Sequence, residues 1–477
     1  MTNAIPRRSF LKRLAGGAAA MAVGLPAASC ARPSSARAAS PPDRPNVILA
    51  MTDDQGWGDT GYNGHKVLKT PTLDAMARSG LRFNRFYSGA PVCSPTRGSA
   101  VTGRHPYRYG IFFANVGHMR PEEITLAEAL KTQGYATGHF GKWHLGTLTK
   151  TQKESNRGGP RGVAHYSPPW DNGFDVCFST EAKVPTWNPM LTPGAEAPYG
   201  TSYWTGPGRK AAENLEGDDS RVIMDRAIPF VRGAARRREP FLAVIWFHTP
   251  HEPVVAGPKH LAMYQGVNSQ KQRHYCGCLT AMDEQMGRLR KELRDLGIVE
   301  NTMFWFCADN GPEHKTGPGS TGGLRGRKRS LFEGGVRVPG LLQWPARIGK
   351  GRTTDVPCST CDYFPTVLDA LGFKMKGRPE PLDGVSLLPL IDGTMTERPQ
   401  PIGFESSGQI ALIDNRYKLI TRNKGKAWML FDLVADPSER KDLSAEKPEI
   451  VQKMKATLNA WRASCKNSLA GKDYRTS

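Results

Sequence analysis

Two pairs of hard oxygen donors lie far apart in the chain, Asp53-Asp54 and Asp309-Asn310, and each directly follows an apolar run, NVILAMT and MFWFCA. Carboxylate and amide oxygens suit Ca2+ or Mg2+ better than a soft metal. Either pair alone is more often a helix cap or a turn; two at equivalent strand ends favour a shared cation. Cys93 lies in PVCSPTRGSAVTGR, where loop gives way to helix, so its side chain meets the positive end of a helix dipole. Arg97 comes four positions later, whereas the thiolate-phosphatase loop C-x5-R needs six, which disfavours that chemistry. A lone Cys is usually a small core hydrophobe, and only its surroundings give it a wider reading. Lys142 and His144 (GKWH) and His248 and His251 (HTPH) also stand just past apolar runs. His248, nearer its strand, is open to three readings: a substrate contact, a partner of the acidic cluster, or a core residue with its own hydrogen bonds. His65, His105 and His139 receive no role.

The elements that must position these groups are four buried-type strands, NVILAMT (46–52), YATGHF (135–140), FLAVIWF (241–247) and MFWFCA (303–308). Each ends in polar or charged residues, and open α/β sheets place their ligands beyond the carboxyl ends of parallel strands. Amphipathic stretches such as PTLDAMARSG and ITLAEALKTQG fit between them, each closing on a Gly at a helix end. The pattern predicts an α/β fold: a large mixed, mostly parallel sheet flanked by helices. From about Pro399 the texture becomes short alternating runs (YKLITR, AWMLFDL) and then PEIVQKMKATLNAW, a smaller antiparallel sheet plus a helix. Residues 150–210 read as a long insertion near the site, with Trp170, Trp187 and Trp204 available to stack on sugar rings. GPGSTGGLRG (317–326) lacks the G-K-[ST] ending of a phosphate-binding loop and reads instead as a loop delivering Lys328.

The formal charge is +21, but six of the 65 basic residues fall within the first 38 positions, which hold no Asp or Glu. The remaining surplus favours polyanionic ligands in general. Basic residues are scattered and no nucleic-acid-binding motif is present, so nucleic acid is not an expected partner. RRSFLKRLAGGAAAMAVGL resembles a twin-arginine export signal, with Ala36-Arg37-Ala38 as a cleavage site; Cys30 in AASC is an alternative lipidation site. No later apolar run reaches membrane-spanning length. Export in the folded state removes any need for a disulfide framework, and the isolated Cys358-x-x-Cys361 is a weak zinc pattern. The expected organisation is an export signal at 1–38, a linker at 39–45, a catalytic α/β domain at 46–390 and a C-terminal α+β subdomain at 391–477.

CSPTRGSAVTGR matches every fixed position of C-x-P-x-R-x-x-x-x-T-G-R, the signature of the type I sulfatases, and the chain resembles that family. The resemblance extends through NVILAMTDDQGWGD, GYATGHFGKWHLG, TPHEP, ADNGPE, LRGRKRSLFEGGVRVP and LFDLVADPSERKDL. It implies an alkaline-phosphatase-like fold and oxidation of Cys93 to formylglycine by a formylglycine-generating enzyme. It implies one Ca2+ held by Asp53, Asp54, Asp309, Asn310 and the modified Cys93, with Arg97 stabilising the aldehyde hydrate. Lys142 and His144 match the family's lysine and histidine that bind sulfate and the nucleophile, Lys328 matches the second sulfate-binding lysine, and His251 matches the histidine that protonates the leaving group.

Elementary chemistry agrees with these roles. A sulfate monoester is an anion, so an attacking group needs cations around the non-bridging oxygens. A geminal diol also solves turnover: one hydroxyl attacks sulfur and the second, on losing its proton, restores the aldehyde and expels sulfate. With the export signal, the resemblance predicts an exported, periplasmic or extracellular hydrolase of sulfated glycans or of small sulfate esters. Two other readings stay open, a phosphodiesterase or phosphonate monoester hydrolase built on the same residue, and a non-catalytic sulfoglycan-binding protein.

Overall fold

The computed structural model describes residues 44–474 except 156, 158, 159 and 314–317. The export signal, Cys30 and most of the linker lie outside the described residues. From Arg44 onward the chain forms one compact unit.

Its centre is a ten-stranded sheet in which Thr302–Ala308, Asn46–Thr52, Phe241–Trp246, Ala136–Lys142 and Val176–Thr180 are neighbours in that order, all parallel. Gly340–Gln343 joins one side antiparallel, followed by Leu81–Phe83 and Arg352–Thr354; Trp204–Gly206 and Arg209–Lys210 extend the other. The central strands are buried on both faces, which is why they read as unbroken Val, Ile, Leu and aromatic runs. One face packs on the helices Asp219–Arg237 and Gln270–Asp295, the other on Cys93–Thr102 and Leu126–Lys131 among others. The segment expected to be an insertion contributes three of the ten strands. They are short, five, three and two residues, and none carries a long apolar run.

Register decides where the polar strand ends fall. Thr52 pairs with Ala308, Met51 with Trp246, and Trp246 with Gly141, so four strands finish at one level. Asp53, Asp309, Lys142 and the 247–251 segment must therefore emerge together. Gly141 is required there: its φ is +101° and a Cβ would lie 1.9 Å from the Trp246 carbonyl oxygen.

Ile402–Ser406, Gln409–Asp414, Tyr417–Thr421 and Met429–Asp432 form a second, antiparallel sheet. One face carries Leu412, Leu419 and Leu430 against Val451, Met454 and Leu458 of the helix Pro448–Leu469. The other carries Phe404, Ile413, Ile420 and Phe431 against Leu331, Phe332 and Val336, just beyond Lys328. Gln409 clamps this loop, donating to the Arg329 carbonyl at 2.8 Å and accepting from the Leu331 amide at 3.1 Å. Beneath it the buried Lys418 ammonium sits 3.0 Å from Glu333 and 2.9 Å from Glu439. The small sheet thus fixes a loop of the large one. The eight described cysteines are free thiols, all buried, Cys358 and Cys361 included. Among the described residues no helix is long and apolar enough to cross a membrane.

Candidate active site

Cys93 opens the ten-residue helix Cys93–Thr102 and is 1% exposed. Burial pushes its thiol pKa up, against the pull of Lys142 and Lys328, so the unmodified residue is a poor thiolate nucleophile. The motif's other fixed residues have structural causes. Gly103 caps the helix at φ +70°, and a Cβ there would meet Phe364 at 2.8 Å. Arg104 is buried between Glu123 at 3.2 Å and Asp473 at 2.7 Å.

Behind Cys93 lies a charge lattice. Arg97 reaches Asp309 at 2.7 Å, Asp53 at 3.5 Å and the Lys142 carbonyl at 3.1 Å, with its guanidinium over the Trp246 ring. Lys142 donates to Asp53 at 2.6 Å and Lys328 to Asp54 at 2.7 Å; the Asn310 amide donates to Asp54 at 2.7 Å. The Asp54 backbone N–H donates to Asp309 at 3.1 Å. Asp53, Cys93 and Asp309 converge within 4.8 Å of one another, as do Asp53, Asp54 and His251.

This donor set fits a hard divalent cation. Asp53 Oδ1 and Asn310 Oδ1 are buried with no hydrogen-bond partner, a costly arrangement unless a further positive group meets them. Burial pushes Asp53 up, but Lys142, His251 and Arg97 outweigh it and hold the carboxyl well below its ordinary range. Burial and then the charge of Asp53 push Asp309 up to about 7 despite Arg97, so its carboxyl holds a proton more readily than that of Asp53.

The family described as Sulfatase matches residues 45–373, and that described as N-sulphoglucosamine sulphohydrolase, C-terminal, matches 326–464. The chain belongs to the sulfatase family. N-acetylgalactosamine-6-sulfatase of Canis lupus familiaris is 33% identical over 385 residues, spanning 76% of this chain and 69% of the relative. Arylsulfatase A of Homo sapiens is 30% identical over 475 residues, with 86% of each chain covered. A solved structure described as Ps i-CgsB in complex with k-i-k-neocarrahexaose aligns with a TM-score of 0.75 at 26% identity, covering 88% of this chain and 92% of that one. This chain is therefore a sulfuric ester hydrolase, and its fold is the mostly parallel sheet with a small C-terminal antiparallel sheet that the sequence predicts.

The sulfatase opens to solvent at Cys93 through a cleft of about 660 Å3, lined also by Lys142, His144, His251 and Lys328. His144 has φ +61°; its Nε2 pairs with Asn115 Oδ1 at 2.7 Å while Nδ1 is buried without a partner. Burial and then Lys142 hold its pKa well below the ordinary value, so the ring is neutral, with N–H at Nε2 and an acceptor at Nδ1. His251 is turned by its own Nδ1, which meets the Glu252 carbonyl at 2.8 Å, leaving Nε2 3.7 Å from Asp54. Burial lowers its pKa to about 4, with Asp53 and Asp54 pulling the other way.

His248 does not join this group. It is fully buried, with Nδ1 2.8 Å from Asp219 and Nε2 2.8 Å from Thr180, and it does not line the cleft. Of its three readings, the core residue with its own partners is the one the geometry gives. The direct substrate contact is corrected, because both ring nitrogens are spent. His65, His105 and His139 likewise serve local hydrogen bonds. The tryptophan expectation also fails: Trp204 is buried and bonded to Glu154, Trp170 packs on the core, and the Trp187 ring lies against Gly257. Sequence reasoning missed Asn115, whose only signal is an Asn in a turn-rich stretch, at φ +59°. It also missed Asp219, which orients His248 from a helix 29 residues earlier.

Proposed function

We propose that this sulfatase removes sulfate from a sulfated carbohydrate, using a formylglycine made from Cys93 and one Ca2+. The observation that carries this reading is Cys93 at a helix N-terminus, at the floor of an open cleft, between an acidic cluster and two lysines. Asp53, Asp54, Asp309 and Asn310 would hold the cation, which supplies Lewis-acid charge for the nucleophile and the sulfate oxygens. The aldehyde hydrate supplies two hydroxyls on one carbon, so that attack and release need no external nucleophile on the sulfur.

The protein's own groups do the rest. Lys142 and Lys328 line the cleft as ammonium groups anchored on Asp53 and Asp54, preorganised to bind sulfate oxygens without reorienting during reaction. Arg97 lies behind Cys93, locked by Asp309 and Trp246, and holds the positive field there. Neutral His144 offers Nδ1 as an acceptor for a proton at residue 93. His251, whose Nε2 faces the cleft, is read as the group that protonates the departing oxygen; burial disfavours its charged form, and the charge of a bound anion offsets that.

Support for a carbohydrate substrate comes from the open polar cleft and from the relatives named for sugar sulfates. Export through the N-terminal signal accords with an extracellular polymer as substrate, and fractionation of cells carrying Arg7→Lys with Arg8→Lys checks it. Peptide mass spectrometry across residue 93, run beside turnover of sulfated oligosaccharides and matched phosphate esters, tests the whole reading. Formylglycine with sulfate preference is the expected result. An unmodified Cys93 in active enzyme, or a phosphate preference, refutes it.

A further inference from the structure

The active-site cleft does not end at the catalytic groups. A second depression of about 490 Å3 shares Lys183 and Glu252 with it, so these two residues form the saddle between the two spaces. The saddle is rigid: Thr186 Oγ1 donates to the Val255 carbonyl at 2.7 Å and accepts from its amide at 2.8 Å, and the Thr186 amide donates to the Pro253 carbonyl at 3.2 Å. The loop carrying Lys183 is thereby stitched to the loop carrying His251 and Glu252.

Both saddle residues have unspent bonding capacity. The half-buried Lys183 ammonium has no ion pair or side-chain hydrogen bond among the described residues, unlike Lys142, Lys328 and Arg329, which are all paired. Glu252 Oε1 is buried with no partner, and the two side chains are not ion-paired with each other. Beyond the saddle, the wall carries Val254 and the ring of Tyr275, whose hydroxyl is committed to Asp59 at 2.7 Å. His274 accepts the Ala256 amide at Nδ1, at 3.0 Å, which puts its N–H donor on Nε2. A partly apolar wall beside a few fixed polar groups is what a sugar unit needs.

We propose that the substrate is an oligosaccharide bound across both depressions, with Lys183 holding a second anionic substituent, sulfate or carboxylate, on the sugar next to the one being desulfated. Glu252 accepts a hydroxyl hydrogen of that same sugar. This rests on the carbohydrate-sulfatase reading above and extends it from one sulfated sugar to a polyanionic chain. Lys153 supplies an internal comparison, since it is the other cleft lysine without a partner among the described residues and lines only the first depression.

The test uses chondroitin-, heparan- and galactan-type tetrasaccharides, each in mono- and disulfated form, with 4-nitrophenyl sulfate as the small ester. The ratio of kcat/KM for the best disulfated tetrasaccharide to that for the small ester should fall about tenfold or more in Lys183→Ala, the size of one lost charge-assisted hydrogen bond. It should fall further in Lys183→Glu and mostly recover in Lys183→Arg. A ratio unchanged within twofold in both the Ala and Glu variants, or an equal fall in Lys153→Ala, overturns the proposal. A binding arm separates this from the catalytic reading. In full-length Cys93→Ala protein, calorimetry should show a preference for the disulfated member of a pair that disappears when Lys183→Ala is added. Absent turnover with that preference intact would sink the catalytic reading and keep the subsite; turnover without the preference would do the reverse.

Discussion

Replacing Lys418 with Met tests whether the small C-terminal sheet holds the Lys328 loop. Lys418 is fully buried, 3.0 Å from Glu333 and 2.9 Å from Glu439. Glu333 also accepts from the Tyr87 hydroxyl at 2.9 Å, and Glu439 from the Glu333 amide at 2.6 Å. Removing one member of a buried charge cluster costs about 3–5 kcal/mol, because the remaining carboxylates lose compensation they cannot get from water. For a folded unit of this size the unfolding entropy is on the order of 0.9 kcal/mol per kelvin, so the melting temperature should drop by about 3–6 °C. Burial pushes Glu439 up to about 7 despite Lys418, so its carboxyl takes up a proton more readily than that of a free glutamate. A folded-state value above the unfolded one contributes stability at low pH that is lost as pH rises through about 4.5 to 7. Glu439→Gln alone should therefore flatten the fall in stability over that window, and Lys418→Met with Glu439→Gln should recover part of the single variant's loss. Urea unfolding at pH 5 and pH 8, with turnover of 4-nitrophenyl sulfate alongside, measures this. A single variant within about 1 kcal/mol of wild type, or a double variant no better than the single, refutes the reasoning.

Three other outcomes follow from the site. Chelation should abolish turnover, and Ca2+ at 100 times its dissociation constant should stabilise the protein by about 2.7 kcal/mol; indifference of both melting and activity to chelator would remove the metal. His251→Ala should lower kcat/KM for alkyl sulfates about 100-fold or more, and less for nitrophenyl sulfate, whose leaving group needs little protonation; equal losses on both would contradict the role. His248→Ala should cost on the order of 3 kcal/mol of stability by stranding the buried Asp219 and Thr180 partners, with KM unaffected; a raised KM on a stably folded variant would return His248 to the substrate.

Much of this protein is written locally. Asn46–Thr52 is the strand read from its apolar run, because a strand buried on both faces leaves an unbroken signal. The motif around Cys93, and hence the chemistry, is a contiguous string, and the capping box of Thr125 with Glu128 starts its helix where the sequence places it. Other features depended on neighbours. Ala136–Lys142 runs two residues past the predicted YATGHF because its partners impose register on Gly141 and Lys142. Gly80, read as a helix-capping glycine, has φ −112°; it is required because a Cβ would meet the Leu342 carbonyl at 2.3 Å, a contact made across the sheet. His248 and His251 are three residues apart in one short segment, yet one is spent on Asp219 and Thr180 and the other faces the cleft. Sequence names the residue types able to do chemistry. Which of them keep a free lone pair, a cavity and a charge to act upon is decided by packing between elements hundreds of residues apart, since hydrogen-bond capacity used in the core is no longer available at the site.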